Sequence, residues 1–240
     1  MTAPLYAVGT PCWFDLVSDD PRRTADFYSG LFQWDIASGH ATDVPYLIAR
    51  VGRRTVAGIS SRPAHGPPAG WMIYFACDDV RDVAARTAAA GGAVLVPPAA
   101  EGAHGADRAD GADGAFLTFR DAAGAIAGAW QPGRVVGAES VGEPASFGHA
   151  ELRTADVSGA SAFYREVFHR SDDAAGAVRV EIRPEPAARS RWIPYVVVCD
   201  LSAIIRAAEA AGAVVADSAG AGRAVMHDPL SHEVGLIQRR

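Results

Sequence analysis

Short apolar runs alternate along the chain with segments whose apolar residues recur every three or four positions. After Asp79, residues Val80, Val83, Ala84, Thr87 and Ala88 fall at helical spacing, and after Asp200 residues Leu201, Ile204, Ile205 and Ala208 do the same. That spacing draws one apolar stripe along a helix. Gly91 and Gly212 follow as stop signals, and apolar strand-like runs come next. Nearer the start, Asp20 is placed to cap a helix with Pro21 in its first position, and Thr24, Phe27, Tyr28 and Leu31 form its buried side. Ala160, Phe163, Tyr164 and Val167 repeat that side later.

The patterns recur because the chain repeats itself. WFDLVSDDPRRTADFYSGLF at 13–32 matches HAELRTADVSGASAFYREVF at 149–168. WMIYFACDDVRDVAARTAAAGGAV at 71–94 matches WIPYVVVCDLSAIIRAAEAAGAVV at 192–215, and FRDAAGAIAGAWQ at 119–131 matches MHDPLSHEVGLIQ at 226–238. Three matches in one order identify a tandem repeat. Each half reads strand–helix–strands twice, so four units fill the chain and predict an α+β protein with helices on one face of its sheets. The boundaries expected are a first domain over 1–135, a Gly- and Pro-rich linker over 136–146 and a second domain over 147–240. Residues 97–114 read as a loop with little β propensity.

Composition changes this picture by exclusion. Of the 240 residues none is lysine or asparagine, so imine chemistry on a lysine, a Walker lysine and an Asn-linked glycan are excluded. A formal charge of −6 with no basic run argues against a nucleic-acid partner. No apolar run is long enough for a membrane span, and Met1 to Thr10 does not resemble a signal peptide. Cys12, Cys77 and Cys199 form neither a disulfide framework nor a CxxC site. The expectation is a cytoplasmic protein, monomer or homodimer, with a small-molecule ligand.

GTPCWFDLVSDDPRRTADFYSGLFQW, WMIYFACDDVRDVAARTAAAGGAVLVPP and FRDAAGAIAGAWQPG resemble the vicinal oxygen chelate superfamily, the glyoxalase, bleomycin-resistance and extradiol-dioxygenase group, in its tandem two-domain form. The resemblance covers nearly all of 8–238. It implies four βαβββ units forming two cupped mixed sheets, with ligands inside the cups and helices outside. It also implies a divalent metal held by a first-strand His, a ligand on the partner unit's matching strand and a Glu near the domain end. Those positions fall on Trp13, Met72 and Gly128 in the first half, and on His149, Ile193 and Gly235 in the second. One of six is a ligand, so loss of the metal, and no cofactor, is the expectation. A shifted set of His149, Glu151 and Glu233 is the alternative. His40, His65 and His104 read as solvent-exposed loop residues.

Strand parity then says what lines the cups, since residues two apart share a face. The first cup would hold Trp13, Asp15, Met72, Tyr74 and Trp130, which suits a flat aromatic ligand with one polar anchor. Cys12 would face away from it. The second would hold His149, Glu151, Ile193 and Tyr195, of which His149, Glu151 and Tyr195 are the candidate catalysts: a His beside a carboxylate moves protons, and a Tyr polarises a carbonyl. Arg179, Glu181 and Arg183 alternate in a strand whose basic face would meet an acidic group or protect a sheet edge. The leading expectation is a metal-independent lyase, isomerase or cyclase acting on a small oxygenated, aromatic or polyketide-like metabolite. Its rivals are a binding protein that sequesters an antibiotic or metabolite, and a metal-dependent dioxygenase or lyase with a shifted ligand set.

Overall fold

The computed structural model describes residues 6–38, 46–64, 66–100, 113–169, 176–186, 189–217 and 222–239. The first half contributes β1 (Pro11–Ser18), α1 (Pro21–Phe32), β2 (Asp35–Ser38), β3 (Tyr46–Val51), β4 (Arg54–Ser61), β5 (Gly70–Ala76), α2 (Val80–Ala89), β6 (Ala93–Ala100), β7 (Gly114–Arg120) and β8 (Ile126–Pro132). The second contributes β9 (Phe147–Thr154), α3 (Val157–Phe168), β10 (Arg179–Pro184), β11 (Arg191–Val198), α4 (Leu201–Ala210), β12 (Val214–Asp217), β13 (Arg223–His227) and β14 (Glu233–Gln238). Each helix starts on an aspartate, Asp20, Asp79, Asp156 or Asp200, whose carboxylate accepts a first-turn backbone N–H.

Two mixed sheets with four helices result among the described residues, an α+β architecture. One has eight strands, β2-β3-β4-β1-β5-β8-β7-β6, and the other six, β10-β9-β11-β14-β13-β12. In each, the two central strands run antiparallel and each is flanked by a parallel strand of its own unit. The third unit is abbreviated: among the described residues it is β9, α3 and β10. The interval from α3 to β10, 169–178, is about half that from α1 to β4, 33–53.

Strand alternation sorts the side chains onto two faces. Phe14, Leu16, Trp71, Ile73 and Phe75 on one sheet and Ala150, Leu152, Trp192, Val196 and Val198 on the other join a single core with the helices. Phe14 stacks on Phe147 at 4.2 Å between ring centroids, and Phe75 meets Trp192 at 5.2 Å. The opposite faces form two separate clusters, Met72, Tyr74 and Trp130 in one and Ile193, Tyr195 and Val225 in the other. These are the two cups, on opposite sides of the common core.

The repeated FY, W and D residues do their work in that core. Trp71 Nε1 donates to the Tyr28 hydroxyl (3.0 Å), which donates to Asp228 in the other half (3.1 Å). Trp192 Nε1 donates to Tyr164 (2.6 Å), which donates to Asp121 (3.1 Å). Each aspartate also accepts two backbone N–H groups of its own turn. The two relays are buried and cross between the halves in opposite directions.

Two expectations need correction. Cys12 joins the first-cup cluster instead of facing away, because a β-bulge between Pro11 and Trp13 breaks the simple alternation. Residues 97–100, expected as loop, extend β6; this is an edge strand, and Pro97 and Pro98 fall in the register shift between Val96 and Ala99, where neither takes a ladder partner. His40, His65, His104 and residues 101–112 lie outside the described residues.

Candidate functional site

The second cup is centred on β9. His149 faces Tyr195 of β11 directly across the ladder, and Glu151 faces Ile193. Their rings meet edge-on, centroids 5.0 Å apart at 71°. His149, Glu151 and Tyr195 are all buried. The three expected catalysts are therefore brought together. On the other side, β10 sets Arg179 beside His149 and Glu181 beside Glu151.

Glu151 is heavily paired. Arg153 Nε donates to it at 2.6 Å and Arg183 Nη1 at 3.4 Å, and Arg223 Nη1 lies at 3.9 Å. The Tyr195 hydroxyl lies against Glu151 and Arg153 and interacts with both. Arg223 also donates to Glu181 at 2.8 Å. Glu185 and Glu233 share Arg191, with Arg191 Nε 2.6 Å from Glu233. Glu233 is thus engaged in an ion pair of its own. Parity made Glu181 visible in the sequence, whereas Arg223 comes from another unit and carried no local signal.

His149 is the anomaly. Both ring nitrogens are buried, and neither has a hydrogen-bond partner among the described residues. Glu181 Oε2 lies 3.5 Å from its Nε2. Burial, then the nearby Arg223 charge, pushes its pKa down to about 4. It is therefore a neutral imidazole at pH 7. Tyr195 is pushed up to about 12, first by burial and then by the Glu151 charge, and stays protonated.

The donor set fits the family's ion poorly. At its third position, Gly128 pairs with Tyr74 and Gly235 with Tyr195, and a Cβ at either glycine would run into the tyrosine ring. A tyrosine thus fills the equivalent space in both cups. Ligand atoms of His149, Glu151 and Glu181 do lie within 4.8 Å of one another. The Arg223 guanidinium sits at that acidic corner, and a divalent ion there would also face Arg153 and Arg183.

The first cup is aromatic. Trp13 pairs with Tyr74 and Asp15 with Met72, in the register of His149 with Tyr195 and Glu151 with Ile193. Trp130 and Met72 are buried beside Tyr74, while Trp13, Tyr46 and Phe116 are half-buried. Asp15 Oδ1 accepts from Tyr46 Oη at 2.7 Å and Trp13 Nε1 at 3.1 Å. Tyr46 comes from β3, a strand whose counterpart the third unit lacks among the described residues, so comparing the repeats did not reveal it. A cavity of about 560 Å³ lies outside both cups, beside α3 and the turn at 121–123. Its Asp121 carboxylate is already committed to Tyr164, so chemistry favours the cups over this space.

The family model described as Glyoxalase/Bleomycin resistance protein/Dioxygenase superfamily matches residues 11–125. Anthracycline biosynthesis protein DauV of Streptomyces sp. (strain C5) and anthracycline biosynthesis protein DnrV of Streptomyces peucetius are each 31% identical over 271 residues, covering 98% of this chain and 95% of theirs. Among solved structures, the Mn(II)-bound glyoxalase from Novosphingobium aromaticivorans aligns with a TM-score of 0.63 at 15% identity, covering 96% of this chain and 82% of that one. The 2,3-dioxygenase LapB from Pseudomonas sp. KL28 gives 0.62 at 10% identity, covering 98% and 94%. At these identities the structural matches speak for the fold alone.

Proposed function

The chain belongs to the glyoxalase/bleomycin resistance protein/dioxygenase superfamily, and from that membership we propose that it is a metal-independent enzyme of secondary metabolism, acting by acid–base chemistry on a small oxygenated aromatic or polyketide-like metabolite. The substrate class is supported by the two relatives named for anthracycline biosynthesis. One observation supports the second cup as the place of reaction: a buried, neutral His149 with both nitrogens unpartnered among the described residues. Buried polar groups are nearly always satisfied, so this imidazole is kept for something that arrives.

The roles follow from chemistry. His149 is the base that takes a proton from carbon beside a carbonyl and returns it elsewhere, as a lyase, isomerase or cyclase requires. Arg223 and Arg183 supply positive charge toward the developing oxyanion, the electrostatic task a metal performs in other members. Tyr195 stays protonated and donates a hydrogen bond. Glu151 is a positioning residue that holds Arg153 and the Tyr195 hydroxyl. Access requires movement of Glu181, which is 40% exposed and lies against His149 on the edge strand.

The test is turnover of hydroxylated polyketide probes, followed by mass spectrometry. His149→Ala should lower turnover by about 10²–10⁴-fold with little change in probe affinity. The wild-type rate should fall only as the pH drops toward about 4, where His149 takes up a proton. Unchanged turnover in the variant sinks the assignment, and turnover that depends on a stoichiometric divalent ion sinks metal independence. The aromatic lining of the first cup favours sequestration as the second reading; a probe bound but recovered unchanged after long incubation would establish it.

A further inference from the structure

The repeat aligns Glu181 with Gly58 and Arg223 with Phe116, each at the same register position of its half. The first half thus has a small and an apolar residue where the second has a carboxylate and a guanidinium, joined at 2.8 Å. The strands that carry this pair are far apart in their sheet, with β9, β11 and β14 between β10 and β13. Four strand spacings amount to roughly 19 Å along the sheet. The two side chains meet because the sheet curls and both reach across the cup. They lie over its buried floor and touch it: Glu181 Oε2 is 3.5 Å from His149 Nε2, and Arg223 Nη1 is 3.9 Å from Glu151 Oε2.

The two partners are unequal. The Glu181 side chain is 40% exposed and that of Arg223 21%. Glu181 can therefore turn out into water, whereas Arg223 stays in the cup. Glu151 does not take over as its partner, being bonded to Arg153 at 2.6 Å. A partly buried guanidinium without a bonded counter-charge is unfavourable. A neutral molecule entering the cup strands Arg223. A molecule with a carboxylate restores the charge-assisted bond that Glu181 gave up, in the planar fork geometry a guanidinium favours.

We propose that Glu181 holds the place of a ligand's carboxylate: the second cup takes an aromatic or polyketide-like acid, whose carboxylate replaces Glu181 on Arg223 while the rest of the molecule faces His149. Arg223 is then the residue that selects acids over their neutral analogues, and Arg183 remains for the developing oxyanion. This rests on the second-cup reading given above and narrows its substrate class to acids. The first cup has no such device, since Gly58 and Phe116 stand at the two positions.

The experiment is titration calorimetry on the full chain with 2-naphthoate and 2-naphthamide, which are alike in shape and differ in charge. 2-Naphthoate should bind about tenfold tighter, the gain of one hydrogen bond to a charged group. Glu181→Gln weakens the pair that both probes must break, so it should tighten both by about threefold or more. Arg223→Gln should bring the two affinities within about threefold of each other, and Arg223→Lys, which keeps the charge, should recover part of the preference. A probe seated in the first cup would respond to none of these substitutions. Equal binding of the two probes by the wild type, an undiminished preference in Arg223→Gln, or unchanged affinities in Glu181→Gln would each overturn the proposal. His149→Ala should keep the preference for the acid. Failure of the second-cup chemistry is thus read in turnover, and failure of acid selection in binding.

Discussion

Asp15 and Glu151 began as equivalent acidic positions in a repeat, and their neighbours have given them different tasks. Glu151 lies within 4 Å of Arg153, Arg183 and Arg223, so it anchors a network. Among the described residues Asp15 has only neutral donors, and burial raises its pKa to about 6, above the ordinary 3.8. A raised acid contributes stability that is complete below pH 3.8 and is lost as the pH climbs through about 6. Asp15→Asn stays neutral throughout. It should match the wild type below pH 4 and exceed it by on the order of 3 kcal/mol at pH 8, as read by urea unfolding at both pH values. His149, lowered to about 4, acts in the opposite sense between pH 6.5 and about 4, but it is common to both proteins and cancels in the comparison. The acidic positions were legible from the repeat alone. Their charge environment was not, because Arg183, Arg223 and Tyr46 arrive from other strands.

At the scale of elements, the strongest sequence signals turned out to hold the core. FY, W and D recur because a Trp–Tyr–Asp relay joins a helix, a central strand and a turn, once in each direction between the halves. Tyr164→Phe would leave Trp192 Nε1 without its acceptor and Asp121 Oδ2 without its donor. A buried group left unpaired costs about 1–3 kcal/mol, so the variant should lose stability of that size for each partner stranded. Denaturant midpoints will show it, and Tyr28→Phe should cost less, since it strands Trp71 Nε1 while Asp228 Oδ2 keeps His232 Nδ1 at 2.8 Å. The start of α1 was readable from Asp20 and Pro21, since capping is a local interaction. The reach of β6 to Ala100 and the place of Cys12 were not, because pairing with β7 and a bulge override local propensity.

At the scale of the whole molecule, the two sheets share one core. Phe14, Phe75 and Trp71 of the first half pack on Phe147 and Trp192 of the second. We propose that the segments 1–135 and 136–240 are not independently stable. Residues 1–135 alone should bind a hydrophobic dye and unfold without a sharp transition, and adding the complementary fragment should restore one; cooperative unfolding of the first fragment alone would count against a shared core. By itself the sequence determined the repeat, the α+β class, the α1 cap and which side chains alternate toward each cup, because these depend on near neighbours and strand parity. Only the tertiary structure decided that tyrosines cover the glycines where the family places a ligand, that guanidiniums surround Glu151, and that Asp15 meets no cation among the described residues. Those outcomes depend on which strands lie side by side, and the partners that set a buried charge are far away in the chain.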